Sequence, residues 1–125
     1  MERRLRIRAG DVTAIAILNN SATADAIWKA LPIEARASTW GDEVYFGIPV
    51  HQTEENGQEV VQMGDIAYWP PGHAFCIFFG PTPMSRGTEI RPASAVNVVG
   101  HIDGDALGFR RVTSGARVIL EPVES

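Results

Sequence analysis

The chain has 125 residues, of which 45% are hydrophobic and 21% charged, and its formal net charge is −4. This length and composition suit one globular domain over residues 1–125, with a single apolar core. The acidic balance and the pI of about 5.3 exclude a general binder of nucleic acid or of anionic membranes, because both partners require clustered positive charge.

The first predicted elements are two strands joined as a hairpin. Apolar and basic residues alternate over 5–8, a turn follows at Gly10-Asp11, and an apolar run covers 12–18. Most of the arginines before the turn share one parity, so we interpret them as a solvent face rather than as a phosphate-binding arm. The N-terminal residues 1–8 lack the apolar segment of a signal peptide, and no stretch of the sequence has the roughly 20 apolar residues that span a bilayer. We therefore expect a cytoplasmic protein.

One short helix is predicted over 24–31. Thr23 is the predicted N-cap, and Asp25 suits the positive end of the helix dipole. Ile27 lies on the face expected to be buried, and Trp28 is expected to help cover the core. This is the one helix that the sequence predicts.

The rest of the chain is predicted to form short strands separated by turns. These strands cover 35–40, 43–48, 66–69, 74–79, 94–102 and 117–121. The run 74–79 is apolar on both parities, so both of its faces are expected to be covered. Asn56-Gly57 suits a turn with two positive φ angles, flanked by Val50 and by 60–61. A total of about eight strands favours a closed barrel over an open sandwich, because closure removes unpaired edges.

The reactive side chains form no recognised catalytic or metal-binding motif. The histidines, at 51, 73 and 101, lie far apart, and acidic pairs such as Asp42-Glu43 adjoin turns, where carboxylates favour turn geometry or stay solvated. Ser85 is not part of a Gly-x-Ser-x-Gly elbow, and no glycine-rich phosphate loop occurs. The lone Cys76 is expected to be a buried reduced thiol. The sequence therefore predicts neither a metal site nor a cofactor.

Aromatic, proline and glycine residues concentrate between Tyr68 and Ser85. Prolines cannot donate ladder hydrogen bonds, so those at 70, 71, 81 and 83 predict two rigid loops at the ends of the 75–79 strand. Rigid loops hold a ligand at a low entropic cost, which predicts a binding cleft at one mouth of the barrel. Core filling is the alternative role of the aromatic residues. The candidate site residues are Trp40, Tyr45, Trp69, Pro71, His73, Phe79, Thr82, Pro83, Met84 and Arg86.

Asn97 is a polar residue within a predicted strand. It stands between Val96 and Val98 and therefore points to the opposite face. If that face is the barrel interior, the amide needs partners, because an unpaired buried amide costs about 1–3 kcal/mol. We predict a structural hydrogen-bonding role for Asn97, with ligand contact as the alternative.

Several sequence blocks form a recognisable set. The most specific are Trp-Gly-Asp-Glu at 40–43, Gly-Asp-Ile-Ala-Tyr-Trp-Pro-Pro-Gly at 64–72 and Thr-Pro-Met-Ser at 82–85, with further blocks at 20–27 and 92–100. Together they resemble the small prokaryotic cyclophilin-like domain family, whose biochemical role is unassigned. The resemblance covers nearly the whole chain. It implies a closed, mostly antiparallel, eight-stranded barrel with one short helix capping an open end.

Three functional hypotheses are compatible with these residues. The first is a binding module that accepts a small molecule or an extended peptide in the predicted cleft. The second is a weak peptidyl-prolyl isomerase, with Arg86 or Arg36 as the donor that polarises the amide. The residue spacing of true cyclophilin active sites is not recognisable, and a shared barrel supports this activity only by analogy. The third is a structural or interaction subunit of a larger assembly, and a homo-oligomer is a further option.

Overall fold

Nine antiparallel strands form a nearly closed barrel in a computed structural model, which describes residues 2–123. The strands are β1 (Arg3–Ala9), β2 (Val12–Leu18), β3 (Ile33–Arg36), β4 (Ser38–Thr39), β5 (Glu43–Gly47), β6 (Asp65–Trp69), β7 (Ala74–Phe78), β8 (Asn97–Asp103) and β9 (Arg117–Pro122). The described residues also include the helix α1 (Ala22–Ala30) and two short 3-10 helices, Pro70–Gly72 and Ala106–Arg111. The order of strands in the sheet is β3-β9-β1-β2-β8-β6-β7-β5-β4.

One bent segment, residues 33–39, connects the two ends of the sheet. Its first part, β3, pairs with β9, and its second part, β4, pairs with β5. Between them, the Ala37 N–H donates to the Ala116 carbonyl at 2.8 Å, and the Ala37 carbonyl accepts from the Gly115 N–H at 2.7 Å. These bonds divide the predicted strand 35–40 in two. The predicted mostly-β barrel is confirmed, with nine strands instead of eight.

Two apolar layers lie on opposite faces of the strands β5 to β7. In β7, Phe75 and Ile77 belong to the core inside the barrel, whereas Cys76 and Phe78 belong to a second cluster on the outer face. The later segment that contains Val96 covers this outer cluster. All five residues of β7 are buried, which confirms that both faces of this strand are covered.

Helix α1 packs against the interior core, with Ile27 fully buried. The N-cap is Ser21, whose hydroxyl accepts from the Ala24 N–H at 3.1 Å, so the prediction of Thr23 as the cap is wrong. Thr23 already has its side chain in the buried interface, where its hydroxyl donates to the Glu55 carboxylate at 2.7 Å. Within residues 2–123, no helix has the length and apolar character needed to cross a membrane.

The loop that precedes β6 is attached to the helix through Asn97. The Asn97 Oδ1 accepts from the Glu55 N–H at 2.7 Å, and its Nδ2 donates to the Thr23 hydroxyl at 3.1 Å and to the Thr53 carbonyl at 2.9 Å. The Glu55 carboxylate also accepts from the backbone N–H groups of Ala22 and Thr23. The hydrogen bonds of Thr23 and of these N–H groups lower the pKa of Glu55. The predicted structural role of Asn97 is therefore confirmed.

The segment 50–61 is a loop, and the turn with two positive φ angles that is predicted at Asn56-Gly57 does not form. Asn56 adopts a positive φ of 51° without the second positive angle that the predicted turn requires. Gln58 pairs with Val96 rather than with the opposite side of its own loop. Long-range pairing therefore replaces the local turn.

The arginines of β1 lie at the surface and form ion pairs. Arg3 contacts Asp25 at 3.0 Å, and its guanidinium lies 5.8 Å from the ring centre of Trp28, which is half-buried against the core as expected. Arg8 contacts Glu121 on the neighbouring strand β9 at 3.0 Å. These contacts agree with the interpretation of a solvent face.

Candidate functional site

An apolar cavity lies on the outer face of the strands β5 to β7, beneath the segment 92–96. Its volume is about 150 Å³, which is the size of an apolar protein cavity that holds one benzene molecule. The prediction of a cleft at one mouth of the barrel is therefore corrected to a cavity on the outside of the sheet. The lining residues are Trp40, Glu43, Tyr45, Trp69, Cys76, Pro92, Ala93 and Val96.

The register of three strands positions the floor and one wall of the cavity. Tyr45 of β5 and Ala67 of β6 both pair with Cys76 of β7, one on each side. Glu43 precedes Tyr45 by two residues and Trp69 follows Ala67 by two, so all of these side chains share the outer face. Cys76 consequently lies at the middle of the floor.

The turn between β4 and β5 brings Trp40 to the cavity. The Trp40 N–H donates to the Glu43 carbonyl at 3.0 Å, and Gly41 adopts a φ of +60°. A Cβ atom on Gly41 would lie 2.9 Å from the Pro83 Cδ and 3.0 Å from the Pro81 carbonyl oxygen. The two prolines therefore pack tightly against this turn and restrict its movement.

The opposite wall is fixed by a hydrogen bond of Trp69. Its indole N–H donates to the Ser94 hydroxyl at 2.7 Å. This bond connects the end of β6 to the segment 92–96, which contributes Pro92, Ala93 and Val96 to the lining. Both aromatic walls are therefore attached to neighbouring chain segments before any ligand binds.

Glu43 is a buried carboxyl group without an ionic partner. Its exposed fraction is 6%, and burial raises its pKa to about 7, an effect that the Cys76 thiol partly offsets. No salt bridge of residues 2–123 includes Glu43. In the same part of the chain, every side-chain oxygen that is sealed from solvent has a hydrogen-bond partner. The Glu43 carboxyl therefore has the Cys76 thiol as a neighbour, has no counter-charge among the described residues, and is open to the cavity that it lines.

Cys76 is a buried free thiol, as predicted. Burial, together with the Glu43 carboxyl, raises the pKa of this thiol well above its usual value. A nucleophilic cysteine needs its thiolate form. Cys76 therefore contributes surface to the floor of the cavity and is not activated for covalent chemistry.

Only part of the predicted site comes together at this cavity. Trp40, Tyr45 and Trp69 line it. Phe79 instead belongs to the interior core, where its ring centre lies 6.3 Å from that of Phe109. The reason is parity, because Phe79 follows Ile77 by two residues and therefore points into the barrel.

The loop that follows β7 uses its polar side chains for its own structure. The Thr82 hydroxyl donates to the Arg91 carbonyl, and the Ser85 hydroxyl accepts from the N–H groups of Thr82 at 2.9 Å and Arg91 at 3.0 Å. Thr82 thus stabilises the loop instead of orienting a ligand in the cavity. Three other candidates on this loop are exposed and do not line the cavity: Pro83, Met84 and Arg86.

Pro71 and His73 precede β7 and do not line the cavity. Pro71 lines a separate open hollow together with Thr53 and Ser94. His73 has a φ of 48°, and its ring centre lies 4.3 Å from that of His51. Among the described residues, no group of three or more histidine, cysteine, aspartate or glutamate side chains is arranged to hold a metal ion.

The sequence reasoning missed Glu43 and the segment 92–96. Glu43 lies in the predicted strand 43–48, but its carboxylate, next to a turn, is expected to favour turn geometry or stay solvated. Its spacing of two residues from Tyr45 is a signal that both side chains share one strand face. The segment 92–96 approaches β6 and β7 from a distant part of the chain. No local pattern predicts that approach.

The chain is similar over nearly its whole length to a protein family and to a solved structure. The model of a family described as cyclophilin-like matches residues 3–121. A hypothetical protein from Archaeoglobus fulgidus, determined as a solution structure, is 46% identical, with 98% of this chain and 95% of that chain covered and a TM-score of 0.85. No curated protein matches the chain significantly.

Proposed function

The chain belongs to the cyclophilin-like family, and we propose that it is a binding module that accepts part of a small molecule or of an extended peptide in the outer cavity. The observation that carries this proposal is a partly open cavity of about 150 Å³, lined by three aromatic side chains and one carboxyl group. Ligand sites are typically apolar and aromatic, with a few polar groups that orient the ligand. This cavity has that composition.

The fixed walls also support binding. The turn that carries Trp40 packs against Pro81 and Pro83, and Trp69 is hydrogen-bonded to Ser94. A site that is ordered before binding loses less conformational freedom when the ligand arrives, which leaves more of the contact energy as affinity. The proline-rich loop, which follows β7 and contains Pro81 and Pro83, thus supports ligand binding indirectly, because it restricts the movement of the turn that carries Trp40.

A titration of the full chain with indole, followed by NMR, tests this proposal. We expect the backbone amide shifts to move at 40–45, at Trp69 and at 92–96. Ala93→Trp should fill the cavity and abolish these shifts, whereas Thr88→Trp, on the exposed part of the same loop, should retain them. Absence of shifts, or shifts that persist in Ala93→Trp, would overturn the proposal.

Isomerase activity receives less support from the cavity. Rotation about an X–Pro bond has a barrier of about 18–20 kcal/mol, and a protein that lowers it needs a donor beside the apolar pocket. Arg86 is exposed outside the cavity, and Arg36 donates to the Gly115 carbonyl at 3.2 Å. The residues within 2–123 that line the cavity include no arginine or lysine. We therefore favour binding without bond rotation.

A peptide assay separates these two functions. We expect the cis–trans rate of a proline-containing tetrapeptide to equal the uncatalysed rate in the presence of the protein. Acceleration by the wild type that disappears in Ala93→Trp and persists in Thr88→Trp would replace the binding proposal with isomerase activity in the same cavity.

A further inference from the structure

We infer that the ligand of the outer cavity carries an organic ammonium group, held between the rings of Trp40, Tyr45 and Trp69 and the carboxylate of Glu43. This inference rests on the proposed function and adds the charge and the chemical class of the ligand. We therefore expect the part of the ligand that enters the cavity to be a positively charged, alkylated nitrogen and not an uncharged apolar group.

The aromatic lining suits a cation with apolar surface. The faces of tryptophan and tyrosine rings carry negative charge density, and aromatic cages are a known means of binding quaternary ammonium groups. Two tryptophans and one tyrosine line this cavity. Its volume of about 150 Å³ is close to the space that benzene occupies in a protein, and a trimethylammonium head is of similar size.

The carboxyl group of Glu43 determines the sign of the preferred ligand charge. Glu43 is buried, open to the cavity and not part of any salt bridge of residues 2–123. A buried carboxylate without a counter-charge is unfavourable, and a cation in the cavity would supply that charge. An anionic ligand would meet the like charge of Glu43.

The surroundings of Glu43 contain few competing charges. Tyr45 on its own strand and Cys76 on β7 are the other titratable groups of the lining. The neighbouring Asp42 is directed to Arg110, at 3.9 Å. The segment 92–96 contributes only proline, alanine and valine to the lining. The ligand nitrogen would therefore interact with one carboxylate in an otherwise uncharged cavity.

Cation binding should depend on pH through Glu43. The pKa of Glu43 is about 7, so its ionised fraction falls roughly tenfold between pH 8 and pH 6. If the cation binds the ionised form, its apparent affinity falls by the same factor of about ten. Binding at neutral pH should also release a proton, because the bound cation favours the carboxylate.

Choline and its uncharged carbon analogue, 3,3-dimethylbutan-1-ol, are matched probes for this inference. We expect the full chain to bind choline at least about tenfold more tightly than the alcohol at pH 8, by NMR titration. The affinity for choline should weaken about tenfold at pH 6, whereas that for the alcohol should not change. A peptide with trimethyllysine gives a further comparison: tighter binding than choline indicates a peptide side chain as the source, and equal binding indicates a free small molecule.

Two variants test the role of the carboxyl group. Glu43→Gln keeps the size of the side chain and should remove both the preference for choline and its pH dependence. Glu59→Gln makes the same change of charge on an exposed residue outside the cavity and should behave as the wild type. The change in the choline affinity of the wild type between pH 8 and pH 6 also tests the role of the Glu43 carboxyl, without a substitution in the cavity.

The outcomes separate this inference from the proposed function. Equal binding of choline and the alcohol by the wild type, or a choline affinity that does not change between pH 6 and pH 8, would overturn the ammonium inference. If indole binds in the cavity at the same time, the proposed function stands. If indole, choline and the alcohol all fail to bind, the proposed function is overturned and the inference with it.

Discussion

Glu43 illustrates how burial can dominate the pKa of a single residue. Folding removes its carboxyl from most of the surrounding water without supplying a cation, so its pKa rises to about 7. In the unfolded chain the pKa of a glutamate is about 4.3. Between these two values the folded state binds more protons than the unfolded state. The contribution of Glu43 to stability is therefore favourable at low pH and is lost as the pH rises through 7.

We expect Glu43→Gln to remove this pH-dependent loss. The free energy of unfolding of the variant, relative to the wild type, should rise by roughly 2–3 kcal/mol between pH 5 and pH 8, because one pKa unit corresponds to about 1.4 kcal/mol. Urea denaturation at several pH values measures the difference, with Glu59→Gln as the control for the change in net charge. Parallel pH profiles of the wild type and Glu43→Gln would contradict the expected burial effect.

Asn97 contributes to stability through its amide. Asn97→Val would leave the Glu55 N–H and the Thr53 carbonyl without their side-chain partners. We expect a loss of about 2–3 kcal/mol in the free energy of unfolding, since an unsatisfied buried polar group costs about 1–3 kcal/mol. Thermal or urea denaturation measures this loss. The exposed Asn20→Val is the matched control, and an equally small effect of both substitutions would refute the structural role.

At the scale of elements, the proline-rich loop and the β4–β5 turn act together. The sequence predicts rigid loops from the prolines at 81 and 83, and the loop is indeed internally hydrogen-bonded through Thr82 and Ser85. Its contact with the ligand cavity, however, is indirect, because it packs against Gly41 rather than lining the space. The proline content of the sequence predicts that this loop is rigid. It does not predict that the loop packs against the β4–β5 turn, because that contact depends on tertiary structure.

Gly41→Ala tests this coupling, with Gly87→Ala as a closely matched control. The two glycines have φ values of +60° and +61°, but a Cβ on Gly87 meets no atom within 4 Å, whereas one on Gly41 would clash with the proline loop. Gly87→Ala should cost about 1–2 kcal/mol from the left-handed backbone alone. Gly41→Ala should cost more and should also weaken indole binding, because Trp40 shifts. Denaturation and NMR titration of both variants measure these effects, and equal indole affinities would disprove the coupling.

Local patterns predicted most elements, and their failures have physical causes. Alternation and turn residues identified the β1–β2 hairpin, and helical periodicity identified α1. The cap moved from Thr23 to Ser21 because Thr23 is used in a buried contact with Glu55. The turn predicted at Asn56-Gly57 does not form, because Gln58 pairs with Val96, far along the chain. Local sequence preferences fail to predict the structure where a segment distant in sequence forms the hydrogen bonds instead.

At the scale of the whole molecule, the binding cavity and the folded core are separate. The interior core contains Phe79 and Phe109, whereas Trp40, Tyr45 and Trp69 lie on the other side of the sheet. The strand count predicted a closed barrel, since closure satisfies the edges of a small sheet. It did not predict the face that carries the cavity. That placement depends on which side of the sheet the segment 92–96 covers.

Phe79→Ala tests this separation. Removal of a buried phenylalanine side chain should lower the free energy of unfolding by about 3–5 kcal/mol. Small domains have total stabilities of about 5–15 kcal/mol, so we expect the variant to remain folded in mild conditions. Its indole affinity should stay within about twofold of the wild-type value, because Phe79 does not line the cavity. A large loss of affinity in the folded variant would show that the two layers are coupled.

The burial of β7 on both faces has a consequence for the diversification of this fold. Alternate side chains of the strand belong to the interior core and to the outer cluster. A substitution of Cys76 therefore changes the outer face and leaves the interior contacts of Phe75 and Ile77 in place. The same independence applies to Tyr45 beside Val44 and to Trp69 beside Tyr68. Related chains can therefore acquire new chemical selectivity through single codon changes on the exterior while inheriting an unaltered scaffold.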